Sequence, residues 1–159
     1  YWKKDFSLLM DICADGVRYL YACDMVLNKV WKIDSFSKNF RPILFLQGGW
    51  LSSPSAICYE KNKIYLASFK NGMILEIDLI DKFMSTYINE SIPQVLGIFK
   101  KDEAFYIAGG KYQGELFKFK NKIIDKRNQL SALPGDILVK GDIVFTALRY
   151  RDEIEEVRA

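Results

Sequence analysis

An all-β chain folded as a β-propeller is the class this sequence predicts, and three observations carry the prediction. Ile12, Ile57, Ile98 and Ile137 recur at spacings of 45, 41 and 39 residues. Eight residues after each comes a bulky apolar side chain (Leu20, Tyr65, Tyr106, Phe145), and ten after each comes alanine (Ala22, Ala67, Ala108, Ala147). Between them lies a turn signal every time: Asp15-Gly16, Lys61-Asn62, Lys101-Asp102 and Gly141-Asp142. A period near forty built from short strands and tight turns is the signature of propeller blades.

The unit is most complete from Pro54 to Asp78, where three strand-like runs are joined by two polar turns. Second strands are predicted over Tyr19–Cys23, Ile64–Ser68, Phe105–Gly109 and Ile143–Leu148. Third strands follow at Trp31-Lys32-Ile33, Leu75-Glu76-Ile77 and Phe117-Lys118-Phe119, with the odd positions inward, whereas Ile154 to Val157 fits the pattern poorly. Outer strands are expected at Ile43–Leu46 and Phe83–Ile88; Ile123–Leu130 is too polar to be assigned. Pro54, Pro93 and Pro134 each precede a unit, as suits a residue that cannot donate to a ladder. The recurrent alanine is expected where one blade packs face to face on the next. A helical reading fails because the apolar runs are too short and the turns too frequent.

Blades are therefore placed at about 10–50, 54–90, 93–131 and 134–159 in a single domain, with 1–9 (Trp2, Phe6 and Leu8 on one face) as a closing outer strand. Opening on Tyr1 rather than methionine, the sequence is read as an arc of a larger ring. A self-closed ring of four blades is the alternative.

Composition narrows the chemistry. With 159 residues, half of them hydrophobic and 14% aromatic, the chain can build a real core. No stretch approaches the apolar length of a membrane helix, so it reads as soluble with no membrane span. Histidine is absent. That removes Ser-His-Asp and Cys-His catalysis, the usual zinc sites and any histidine switch. Cys13, Cys23 and Cys58 sit in apolar runs without Cys-x-x-Cys spacing and read as free thiols. They lean towards a reducing, cytoplasmic setting without fixing the compartment.

Pro-x-x-Ile at 54–57, Ile-Tyr-Leu-Ala at 64–67 and Leu-Glu-Ile-Asp at 75–78 resemble an NHL-type or YWTD-type propeller repeat, and Val-Trp-Lys-Ile-Asp at 30–34 repeats the closing element. The resemblance covers nearly the whole chain through motifs that are structural. It implies mostly binding roles. A minority of such folds are metal-dependent lactonases holding a calcium-like ion at the central mouth, and no ligand set matches theirs here.

Sites are expected on the face that carries the loops leading into each first strand and joining the second to the third. The lead-in positions are Ser55, Gln94 and Asp136. The second-to-third loops supply Asp24, Phe69-Lys70-Asn71, Lys111-Tyr112-Gln113 and Arg149-Tyr150-Arg151, and three of these four set a cation beside an aromatic ring. Arginine and tyrosine combine contact area with directional hydrogen bonds. The expected function is a non-catalytic scaffold that binds an acidic protein partner through this rim, without a cofactor. The alternative is a hydrolase with Ca2+ at the channel mouth, for which Asp24, Asp136 and Gln94 are the candidate oxygen ligands. The net charge of +3 and the lack of an RNA-binding motif argue against nucleic acid.

Overall fold

The apolar runs fold as strands paired with their immediate sequence neighbours. In the computed structural model, which describes residues 6–90 and 92–158, fifteen strands make four antiparallel sheets. The first holds β1 (Leu9–Ala14), β2 (Tyr19–Asp24), β3 (Lys29–Asp34) and β4 (Pro42–Gln47). A short 3-10 turn, Gly49–Leu51, leads to the second sheet: β5 (Pro54–Glu60), β6 (Lys63–Ser68), β7 (Ile74–Asp78) and β8 (Met84–Ile88). The third holds β9 (Gly97–Lys101), β10 (Ala104–Gly109), β11 (Glu115–Lys120) and β12 (Ile123–Gln129). The fourth has three strands among the described residues: β13 (Pro134–Lys140), β14 (Ile143–Leu148) and β15 (Glu153–Arg158). The innermost strands touch in succession, β1 with β5, β5 with β9 and β9 with β13. The four sheets are the blades of a β-propeller. No helix among the described residues is long and apolar enough to cross a membrane.

Tight turns fix each register. Lys61 and Asn62 both take positive φ (49° and 62°), as do Asn121 and Lys122, which is the backbone twist a two-residue hairpin needs. In the second, third and fourth blades the pairs Ile57↔Leu66, Ile98↔Ile107 and Ile137↔Thr146 are equivalent. The first blade departs from them. Ile12 faces Ala22, so this hairpin is one residue longer than the others. The extra residue is held by Asp15, whose Oδ1 accepts the amides of Val17, Arg18 and Tyr19 at 2.7–2.9 Å.

Each blade between two neighbours buries both faces. Tyr21, Cys23 and Val30 on the trailing face of the first blade pack against Ile57, Ile64, Leu66, Leu75 and Ile77 on the leading face of the second. Ala56, Tyr65, Ala67 and Ile74 pack likewise on Ile98, Phe105, Ile107, Phe117 and Phe119. Tyr106, Ala108 and Leu116 meet Ile137, Val139 and Val144. This layering explains the odd-position signal in the third strands, since Leu75, Ile77, Phe117 and Phe119 all point back to the preceding blade.

The structure corrects several expectations. The alanine column holds for Ala67, Ala108 and Ala147, which pair with Ile74, Leu116 and Ile154. In the first blade the longer hairpin shifts the column by one, so Cys23 takes that place and Tyr21, not Leu20, is the aromatic equivalent. Ile123–Gln129 is a strand after all. It is the outermost one, so it tolerates polar side chains on both faces. Glu153–Arg158 completes the fourth sheet as its third strand. The third blade's first turn is Asp102-Glu103, one residue later than read. Leu9 opens the innermost strand of the first blade, and the amides of Ser7 and Leu8 donate to Asp24 of that blade. Trp2 lies outside the described residues.

Candidate functional site

One main-chain bond recurs where each second strand ends. The amides of Met25, Phe69, Gly110 and Arg149 donate to the carbonyls of Leu8, Ser53, Pro93 and Leu133, at 2.7–3.0 Å. Every second-to-third loop is thereby fastened to the lead-in loop of its own blade. Neighbouring blades are joined at the same level. Ser53 N donates to Asn28 Oδ1 at 2.7 Å. Gly72, at φ +69°, lies so near the next lead-in segment that a Cβ would stand 2.2 Å from the carbonyl oxygen of Ile92. These connections join the rim of the first blade to that of the second, and the second's to the third's.

On that rim the predicted cation and ring pairs separate into two kinds. Tyr112 and Tyr150 are almost fully exposed. Lys111 Nζ stands 5.0 Å from the Tyr112 ring centre, and the Arg149 guanidinium 5.8 Å from that of Tyr150. Tyr150 takes φ 66°, a left-handed conformation uncommon for a bulky residue, which holds its ring at the loop tip. Lys70 and Arg151 are exposed as well, while Phe69 is half-buried.

The lead-in residues do other work. Ser55 is buried, and its hydroxyl donates to the Val95 carbonyl at 2.6 Å, joining the second blade to the third. Gln94 is half-buried with φ 47°. Asp136 is exposed, and its Oδ1 accepts the amide of Ile137 at 2.7 Å. Asp24 is fully buried; its carboxylate accepts the amides of Ser7 (2.7 Å), Leu27 (3.0 Å) and Leu8 (3.3 Å). The hydroxyl of Ser55 and the carboxylate of Asp24 are thus taken up by main-chain groups. Among the described residues no group of three or more Cys, Asp or Glu side chains is placed to hold a metal ion.

Sequence reading missed Asp11. It occupies on β1 the place that Asp136 occupies on β13, each one residue before its anchor isoleucine. An innermost strand has one edge without a ladder partner, and Asp11 serves such an edge. Its Oδ1 accepts the amide of Ile12 at 2.7 Å, and its Oδ2 reaches across to the amide of Ile57 at 2.8 Å. Burial pushes its carboxyl up to about 6, against the pull of those two amides and with a smaller push from Asp136. Burial likewise raises the thiols, Cys23 to about 12, and all three cysteines are free. Also missed were the grooves on the opposite side, one between each pair of blades. They measure about 260, 430 and 450 Å³ and are lined in turn by Tyr21, Tyr65 and Tyr106. The aromatic recurring in the second strands was the signal available for them.

No protein-family model matches the chain, and no curated protein matches it in sequence. Solved structures do match in fold. A computationally designed protein, Ika4, superposes with a TM-score of 0.68 at 5% identity over 96% of this chain and 91% of that one. A chain of a nidogen/laminin complex gives a TM-score of 0.77 at 12% identity over 98% of this chain and 61% of that one. Streptogramin B lyase gives 0.69 at 12% identity, over 95% and 54%. The chain is a β-propeller. It spans little more than half the length of the latter two chains, and at these identities the similarity concerns the fold.

Proposed function

We propose that this propeller is a non-catalytic interaction module whose rim docks an acidic segment of a protein partner. The observation that carries the reading is the pair of tip tyrosines, Tyr112 and Tyr150, each exposed and each beside a cation. Both rings stand clear of the fold where a partner can reach them, and tyrosine with arginine is the composition favoured at binding hot spots. Lys70, Lys111, Arg149 and Arg151 supply charge for carboxylates, and the main-chain fastening beneath the loops limits the ordering cost of association. The nidogen/laminin structure is a complex, which is in keeping with a docking role for this fold.

The test is fluorescence anisotropy with a labelled twelve-residue peptide rich in aspartate and glutamate and carrying two leucines. The chain is expected to bind it more weakly as salt rises. The triple change Lys111→Glu, Arg149→Glu and Arg151→Glu is expected to weaken binding at least about tenfold, with an unchanged circular dichroism spectrum. Equal binding by the triple variant would reject the rim as the docking surface.

A further inference from the structure

The side of the propeller opposite the rim carries two sets of turns. Those joining first to second strands lie near the axis, and those joining third to fourth strands lie further out. Val17 on an inner turn, Phe36, Ile80 and Phe83 on outer turns, and Ile123 where the third blade's outer turn enters β12 are all at least 66% exposed. One device sets out four of these five. An aspartate two residues earlier accepts the amide of the apolar residue: Asp15 that of Val17, Asp34 that of Phe36, Asp78 that of Ile80 and Asp81 that of Phe83, at 2.8–3.0 Å. The carboxylates turn in to the main chain and the hydrocarbon is left outermost. Beside these tips stand Lys38 and Arg41 of the first blade, Lys82 of the second and Lys122 of the third. All four are exposed, and among the described residues none is ion-paired with a carboxylate. The three outer turns are neighbours. Lys82 lines a groove together with Lys32 and Phe45 of the first blade, and Lys122 Nζ stands 4.8 Å from the ring centre of Tyr87 in the second.

We propose that this side rests on a lipid bilayer with anionic headgroups, its apolar tips entering the interfacial layer and its four cations meeting the headgroup charge. Two features select a bilayer over a protein partner. The tips stand on separate turns, divided by grooves of about 260 and 430 Å³ into which Lys32, Lys82, Lys61 and Lys122 face. A protein interface is built on a contiguous, water-free centre in which lysine is depleted. A fluid layer instead closes round each side chain separately, and lysine and arginine beside it are drawn to anionic lipid. The second feature is the charge of the outer turns. Against their four cations they hold one carboxylate, Asp81, which already accepts the Phe83 amide. Asp102, Glu103 and Asp142 lie on the inner turns. The proposal is independent of the rim reading, since the rim faces the other way.

Co-sedimentation of the 159-residue chain with vesicles tests it, using phosphatidylcholine alone and phosphatidylcholine with about 30% phosphatidylserine. At about 1 mM lipid and about 0.1 M salt the chain is expected to sediment with the anionic vesicles, at least about tenfold less with the neutral ones, and to be released as salt rises. Phe36→Ser, Ile80→Ser and Phe83→Ser made together, and separately Lys38→Glu, Arg41→Glu and Lys82→Glu made together, should each lower the partition coefficient at least about tenfold. Both sets change exposed side chains, so the near-UV circular dichroism should match that of the parent, and the rim triple variant should partition as the parent does. Failure to sediment with the anionic vesicles overturns the proposal, as does binding that either set leaves unchanged. A doubled mass in light scattering that the serine variant abolishes, without vesicle binding, also overturns it and assigns the tips to a protein contact.

Discussion

Asp11 makes stability depend on pH in a direction opposite to that of most carboxylates. In the unfolded chain its carboxyl titrates at the ordinary value of 3.8; in the folded chain burial moves this to about 6. Between those values the folded state holds a proton that the unfolded state has lost, so folding stability falls as pH rises through this window. The interval corresponds to roughly 3 kcal/mol, fully expressed above pH 6. Asp15 and Asp34 work the other way: backbone amides hold the first low and Arg18 the second, and their stabilisation is lost as acid protonates them. A variant comparison removes that background. Asp11→Asn keeps one acceptor oxygen, loses the charge and is blind to pH. Urea unfolding of parent and variant at pH 4.5, 5.5, 6.5 and 7.5, followed by tryptophan fluorescence, reads the difference. About 1 kcal/mol of the effect is already present at pH 4.5, so the parent should lose stability relative to Asp11→Asn by about 2 kcal/mol from the first pH to the last. Parallel curves would refute the argument that burial outweighs the two amides.

Two further outcomes are expected. Thr146 is fully buried at a place where Leu66 and Ile107 stand in other blades, and its hydroxyl has no hydrogen-bond partner. Thr146→Val should therefore stabilise the chain by about 1 kcal/mol in the same urea assay. Asp24→Ala strands three amides and should cost about 2–4 kcal/mol, with hydrogen exchange of Ser7, Leu8 and Leu27 accelerating more than that of β10.

What the sequence made legible follows from what repeats. A blade buried on two faces needs apolar residues at fixed offsets, so Ile57, Tyr65, Ala67 and Leu75 declare themselves against their counterparts forty residues on. The first blade misled because Asp15-Gly16 reads as a two-residue turn. The amides gathered by Asp15 Oδ1 make the loop one residue longer, and a pleated strand converts that slip into a change of face. Ile123–Gln129 was illegible for a different reason. An outermost strand needs backbone pairing but little burial, so its exposed Lys126 and Arg127 find polar partners, the Arg158 carbonyl and Glu115, instead of a core. Of the site, the rim loops were visible as turn-rich segments, yet the roles of Ser55, Asp24 and Asp11 were not. Each depends on a partner at Val95, Ser7 or Ile57, between 17 and 46 positions away, that no local pattern names.

The fastening beneath the rim uses only peptide groups: an amide just past the second strand and a carbonyl in the segment leading into the first, in every blade. Any residue except proline can supply that amide, so the fastening places almost no demand on what the loops display. Side chains at 25, 69 and 149 are, as far as this bond is concerned, interchangeable fittings on a fixed frame; position 110 is the exception, since a Cβ on Gly110, at φ +136°, would stand 2.0 Å from the carbonyl oxygen of Gln113. Such a frame lets the surface be rewritten residue by residue, altering what the protein grips while the stack underneath continues to fold.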